Sequence, residues 1–133
     1  MLNPLPQFLT YAFFAPALIR VTVALVLLFV VWRMHKTKAV ILATNLPVVG
    51  KPAEWMILLS MAVMFLTSAA LFFGYYTQIA ALVGMLLALK HGLFARRYPT
   101  VIPLSTASYI LIFVMCASLV LSGAGALAYD LPL

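Results

Sequence analysis

The sequence predicts an all-α fold, a polytopic membrane bundle of four helices with a short interfacial segment between the first and the second, and three observations predict it. Apolar residues make up 67% of the 133 positions and charged residues 8%, against roughly 45–50% and 25% in soluble domains. Apolar stretches close to the about 20 residues that a helix needs to cross a bilayer recur along the chain. The cations, eight Lys and Arg against two acids for a net charge of +6, gather in the connections between those stretches. A water-soluble globule is excluded. With a mean hydropathy of +1.20 there is no polar face to carry a duplex, so nucleic acid is excluded as a partner and the lipid bilayer takes its place. One transmembrane domain covers residues 1–133, with spans at about 16–33, 54–73, 78–95 and 101–121.

The first span opens with Pro16, suited to a first helical position, and closes against Arg33, Met34, His35 and Lys36; Arg20 sits one turn inside it. The second, from Glu54 to Phe73, carries no charge after Glu54 and stops at Gly74, a good C-terminal cap. The third begins near Gln78 and reaches adequate length only if Lys90 snorkels and the helix continues through His91 to Ala95. The fourth runs from Val101 to Leu121 with Pro103 placed in its first turn, and Ser122, Gly123, Ala124 and Gly125 then release the chain.

The link Gly74-Tyr75-Tyr76-Thr77-Gln78 is short enough to force an antiparallel helical hairpin. The longer connection from Met34 to Ala53 has an apolar middle interrupted by Pro47, Gly50 and Pro52, which predicts a short helix lying in the interface or against the bundle and not a further span. Leu2 to Ala15 is apolar but contains Pro4 and Pro6 and lacks a basic flank, so it reads neither as a cleaved signal peptide nor as a complete span. Arg33, Lys36, Lys38 and Lys51 lie in the first connection, and Lys90, Arg96 and Arg97 at the third; the opposite side holds only Arg20. Cation placement therefore puts both connections in the cytoplasm and both termini outside, in an inner (cytoplasmic) membrane.

Chemistry-bearing side chains are few. Ala80, Gly84, Ala88 and Gly92 recur every four residues and predict the buried seam of the third span, with His91 on the same side. His91 reads either as an interfacial histidine bonded to a carbonyl or as a group that hydrogen-bonds a quinone. His35, in the basic collar, is expected to be solvated, and a haem shared by the two histidines is disfavoured. Glu54 reads as a helix-dipole partner that also has Lys90 or His91 within reach. Arg20, costly inside a membrane, is expected to meet Asp130 from a folded-back tail or, alternatively, lipid phosphate. The hydroxyls of Ser60, Thr67, Ser68, Thr106, Ser108, Tyr109 and Ser118 are expected to bond to their own helices and not to a ligand. The lone Cys116 allows no internal disulfide, no zinc or haem-attachment spacing occurs, and there is no nucleophile, phosphate-loop or dinucleotide motif.

The tail Gly123-Ala124-Gly125-Ala126-Leu127-Ala128-Tyr129-Asp130 resembles the Gly-Pro-Gly-x-x-Ser-x-Asp ending of the DoxX-like family of small four-helix membrane proteins, with both glycines and the aspartate in register. The hairpin from Leu71 to Leu82 is similar to that family's Gly-Leu-Phe-Thr-Arg-Leu-Ala-Ala pattern, and Arg20 and His91 fall where the family has an arginine and a histidine. Gln78 stands where the family has arginine, Ala124 replaces proline, and Met61, Met64 and Phe65 occupy the region of the family's internal acid. The resemblance implies association with membrane redox systems, such as subunits of quinol oxidases or of thiosulfate–quinone oxidoreduction.

Three functional readings follow. The first is a small accessory, non-catalytic subunit of a larger respiratory or quinol-linked membrane complex, binding no cofactor of its own. The second is a stand-alone quinone-binding or redox-active protein that uses His91 with Tyr109 or Glu54. The third, a small transporter, lacks the midplane charges that such proteins use. Partners under the first reading are larger membrane subunits; self-association into a homo-oligomer is left open. Gly74, Gly123 and Gly125, with Arg20 and Asp130, are read as structural.

Overall fold

Burial along each long helix recurs every three to four residues, which is the spacing of one face of an α-helix packed at a shallow angle against its neighbours. The structure, a computed structural model, describes residues 11, 14–43, 53–98, 102–123, 125 and 128. Among the described residues it is all-helical: α1 (Phe14–Lys36), α2 (Lys38–Ala43), α3 (Glu54–Phe73), α4 (Thr77–Arg97) and α5 (Thr106–Ser122). Three of these, α1, α3 and α4, are long and apolar enough to cross a membrane, and α5 is apolar but only 17 residues long.

α1 runs one turn beyond the Arg33 expected as its end, because Arg33, His35 and Lys36 in the last turn suit the negative end of the helix dipole. After Thr37 the short helix expected in the first connection forms as α2, with Ile41 buried. α3 has the predicted bounds. It ends at Gly74, whose left-handed φ of 71° turns the chain so that the Tyr75 amide donates to the Ala70 carbonyl at 2.9 Å, while its own amide donates to that of Leu71 at 3.3 Å. Only Gly74, Tyr75 and Tyr76 then separate α3 from α4, with Tyr76 also at positive φ, so the hairpin is tighter than the sequence suggests.

The start of α5 is a correction. Pro103 does not sit in the first turn of a helix from residue 101; it lies in a bend over Ile102–Leu104. Ser105 provides the start instead, its hydroxyl accepting the Ser108 amide at 3.3 Å and satisfying a donor that the helix leaves open.

α1 packs on α3, α3 on α4, α4 on α5 and α5 on α1, with the α4–α5 interface the most extensive. The inner stripe of α1 is Ala17, Arg20, Ala24, Leu27 and Met34, that of α3 is Ile57, Met61, Met64, Ser68 and Leu71, and that of α5 is Tyr109, Ile112, Cys116 and Leu119. The outward faces are no less apolar. Leu18, Leu66 and Leu93 are each two-thirds exposed, and Trp55, Phe73, Leu86 and Leu111 stand out beside them. Large apolar groups that face outward on α1, α3, α4 and α5 suit an apolar solvent, and the chain is a multi-pass membrane protein by this criterion.

Candidate functional site

The predicted seam of α4 is buried along its length: Ala80, Gly84, Ala88 and Gly92 all face inward. A methyl group on Gly84 would meet the Cys116 Sγ at 3.1 Å and the Thr67 side chain at 3.7 Å. One on Gly92 would meet the Tyr109 Cβ at 3.2 Å. The glycines therefore set how closely α5 approaches α4, and α4 in turn brings His91 against α5.

His91 is 3% exposed and Tyr109 1%. Their rings stack, with centroids 5.8 Å apart and planes 23° from parallel. The His91 Nδ1 lies 2.8 Å from the Leu87 carbonyl. A carbonyl only accepts, so Nδ1 is the donor and carries the hydrogen. The Tyr109 hydroxyl, expected to bond within its own helix, is buried without a hydrogen-bond partner among the described residues. Beside this pair a groove of about 210 Å³ runs between α4 and α5, lined by Ala88, Gly92, Leu93 and Arg96 on one side and Thr106, Tyr109 and Phe113 on the other.

Glu54 does not join the pair. Its Oε1 accepts from the Lys38 Nζ at 2.5 Å, and its side chain is 63% exposed. Lys90 turns instead to Ser60, donating to its Oγ at 3.1 Å. The ionisable cluster of Glu54 with Lys90 or His91 is thus replaced by two separate contacts, because α2 delivers Lys38 to Glu54 first and Ser60 lies nearer the level of Lys90. The first contact ties the basic connection after α1 to the start of α3, the second ties α4 to α3 nearly two turns further in, and the antiparallel hairpin sets the end of α4, with Arg96 and Arg97, beside the start of α3. His35 is exposed and borders an apolar groove of about 550 Å³ with Leu28, Trp32 and Phe65, apart from His91.

Arg20 marks the opposite end. It is 2% exposed, and its guanidinium occupies the space that a side chain on Gly74 would need, with the Ala128 Cα only 2.8 Å from that position. Gly125 packs equally closely on Pro16 and Ala17. Gly125 therefore lies against the start of α1 and Ala128 against the α3–α4 turn. Asp130, the expected partner of Arg20, lies outside the described residues.

Sequence reasoning also missed two contacts besides those of Lys38 and Lys90. Ser68 does not bond within its own helix, as Thr67 does to the Val63 carbonyl; its hydroxyl crosses to the Ala24 carbonyl of α1 at 2.7 Å. Position 68 falls on the same inner stripe as Met61 and Met64, and that phase was the available signal. The Gly84–Cys116 contact carried none, since it depends on the relative register of two helices. Comparisons with protein-family models, with curated proteins and with solved structures find no match.

Proposed function

We propose that this chain is a four-span integral membrane protein of the DoxX-like kind that serves as a non-catalytic accessory subunit of a quinol-linked membrane redox complex, with both termini on the outer side of a cytoplasmic membrane. In this reading α5 makes the fourth crossing, and α2 with its flanks lies at the cytoplasmic interface. The observation that carries the accessory role is how the interior polar groups are used. Ser68 donates across to the Ala24 carbonyl and fastens α3 to α1, Thr67 and His91 spend their hydrogen bonds on carbonyls of their own helices, and large apolar side chains face outward, where lipid or a neighbouring subunit meets them. Resemblance of the tail and the hairpin to the family supplies the redox context, and clustering of Arg33, Lys36, Lys38, Arg96 and Arg97 supports the orientation.

The test is purification of the tagged chain in mild detergent from its native membrane. The expected result is stoichiometric co-elution with larger subunits whose quinol-linked activity falls when this chain is deleted. A chain that elutes alone, with unchanged activity in the deletion strain, overturns the proposal. The His91–Tyr109 stack favours the alternative of a quinone-binding protein. Anaerobic titration of the isolated chain, showing saturable quinone binding that is lost in His91→Ala, would place that alternative first.

A further inference from the structure

The α4–α5 groove is apolar along its walls and cationic at one end. Its α4 wall follows Ala88, Gly92, Leu93 and Arg96, about 12 Å of helix. The groove exists because Ala88 and Gly92 contribute almost no side chain between flanking leucines and the rings of α5. Arg96 ends this wall, and Thr106, the first residue of α5, stands opposite it. Arg96 is exposed, at the end of the molecule where Lys38, Lys90 and Arg97 also lie. Among the described residues no carboxylate balances it, since Glu54 is paired with Lys38.

Shape decides what kind of molecule fits. The groove is a strip between two helices, walled by Ala88, Gly92, Leu93 and Phe113, which suits a segment of extended hydrocarbon. We propose that the groove seats one acyl chain of an anionic phospholipid, with Arg96 on its phosphate and the Thr106 hydroxyl as a second donor. Cationic pockets between membrane helices at the cytoplasmic face bind such headgroups by this combination. The inference rests on the membrane reading above, but not on any redox partner.

Native mass spectrometry of the full chain, released from micelles containing phosphatidylglycerol and phosphatidylcholine of identical acyl composition, tests it. A single phosphatidylglycerol is expected to be retained in preference to phosphatidylcholine. Arg96→Gln should reduce that preference about fivefold, whereas Arg97→Gln, which removes the same charge outside the groove, should change it less than about twofold. Thr106→Trp, which blocks the mouth of the groove, should remove retention while far-ultraviolet circular dichroism stays unchanged. Equal retention of the two lipids, equal losses in the two arginine variants, or displacement by inorganic phosphate or by a neutral isoprenoid quinone would overturn the proposal. Alkaline carbonate extraction separates the two levels. A chain that stays in the bilayer without lipid selectivity refutes the lipid site alone; a chain that leaves the bilayer refutes the membrane reading with it.

Discussion

Gly74 is where a single methyl group should do the most damage. It caps α3 at φ 71° and ψ 36°, a left-handed conformation that costs a side-chain-bearing residue about 1–2 kcal/mol. An added Cβ would also fall 2.8 Å from the Ala128 Cα and 2.9 Å from its Cβ, and would intrude on the Arg20 guanidinium. Overpacking of a closed site adds about 1–3 kcal/mol, so Gly74→Ala should cost about 2–5 kcal/mol in all. Unfolding in mixed micelles by a dodecyl sulfate titration, followed by circular dichroism, measures this. Gly74→Asn separates the two contributions. Asparagine tolerates left-handed backbone, so a purely conformational cost would nearly vanish with it, whereas an overlap would persist. Ala128→Gly removes the methyl at 2.9 Å, one of the three closest atoms, and should restore about 1 kcal/mol in the Gly74→Ala background, well above the about 0.5 kcal/mol expected between uncoupled sites. Near-native stability of Gly74→Asn, with no coupling to position 128, would refute the packing of the tail on Arg20 and Gly74.

Other expectations follow from the same geometry. Ser68→Ala removes the bond from α3 to the Ala24 carbonyl and should destabilise the fold by about 0.6–1.5 kcal/mol in the same titration; no change would mean that the bond does not form. Gly84→Val forces α4 away from Cys116, whose side chain is fully buried, so maleimide should label Cys116 slowly in the native chain and much faster in the variant. In a Cys116→Ala background, Tyr75→Cys should react with an impermeant thiol reagent from outside intact cells and Arg97→Cys only after permeabilisation; the reverse pattern would invert the orientation.

How far the fold was legible depended on whether an element's ends carry a chemical mark. α3 was readable to the residue, since Glu54 and Gly74 bracket an uncharged run. The start of α5 was not, because residues 101–104 are as apolar as the helix itself and the deciding feature is one hydroxyl on Ser105 capping the Ser108 amide. At the candidate site, the inward phase of His91 followed from the four-residue row of small side chains, a property of one helix. Its pairing with Tyr109 rather than with Glu54 depended on how α4 and α5 align, and no local pattern encodes that alignment. Lys38 was likewise visible as a cation but not as the partner of Glu54, since the path of a long connection is set by where its short helix finds a surface.

The brevity of α5 gives the molecule a rim of uneven height. At 1.5 Å per residue, α1 measures about 34 Å and α5 about 25 Å, so one side matches an average hydrocarbon layer and the other falls short of it. Under the four-span proposal, lipid bordering α5 pinches inward while lipid bordering α1 does not. The protein would therefore ride most comfortably where the sheet is already thin, or with its low side turned toward a neighbour that shares the same deficit.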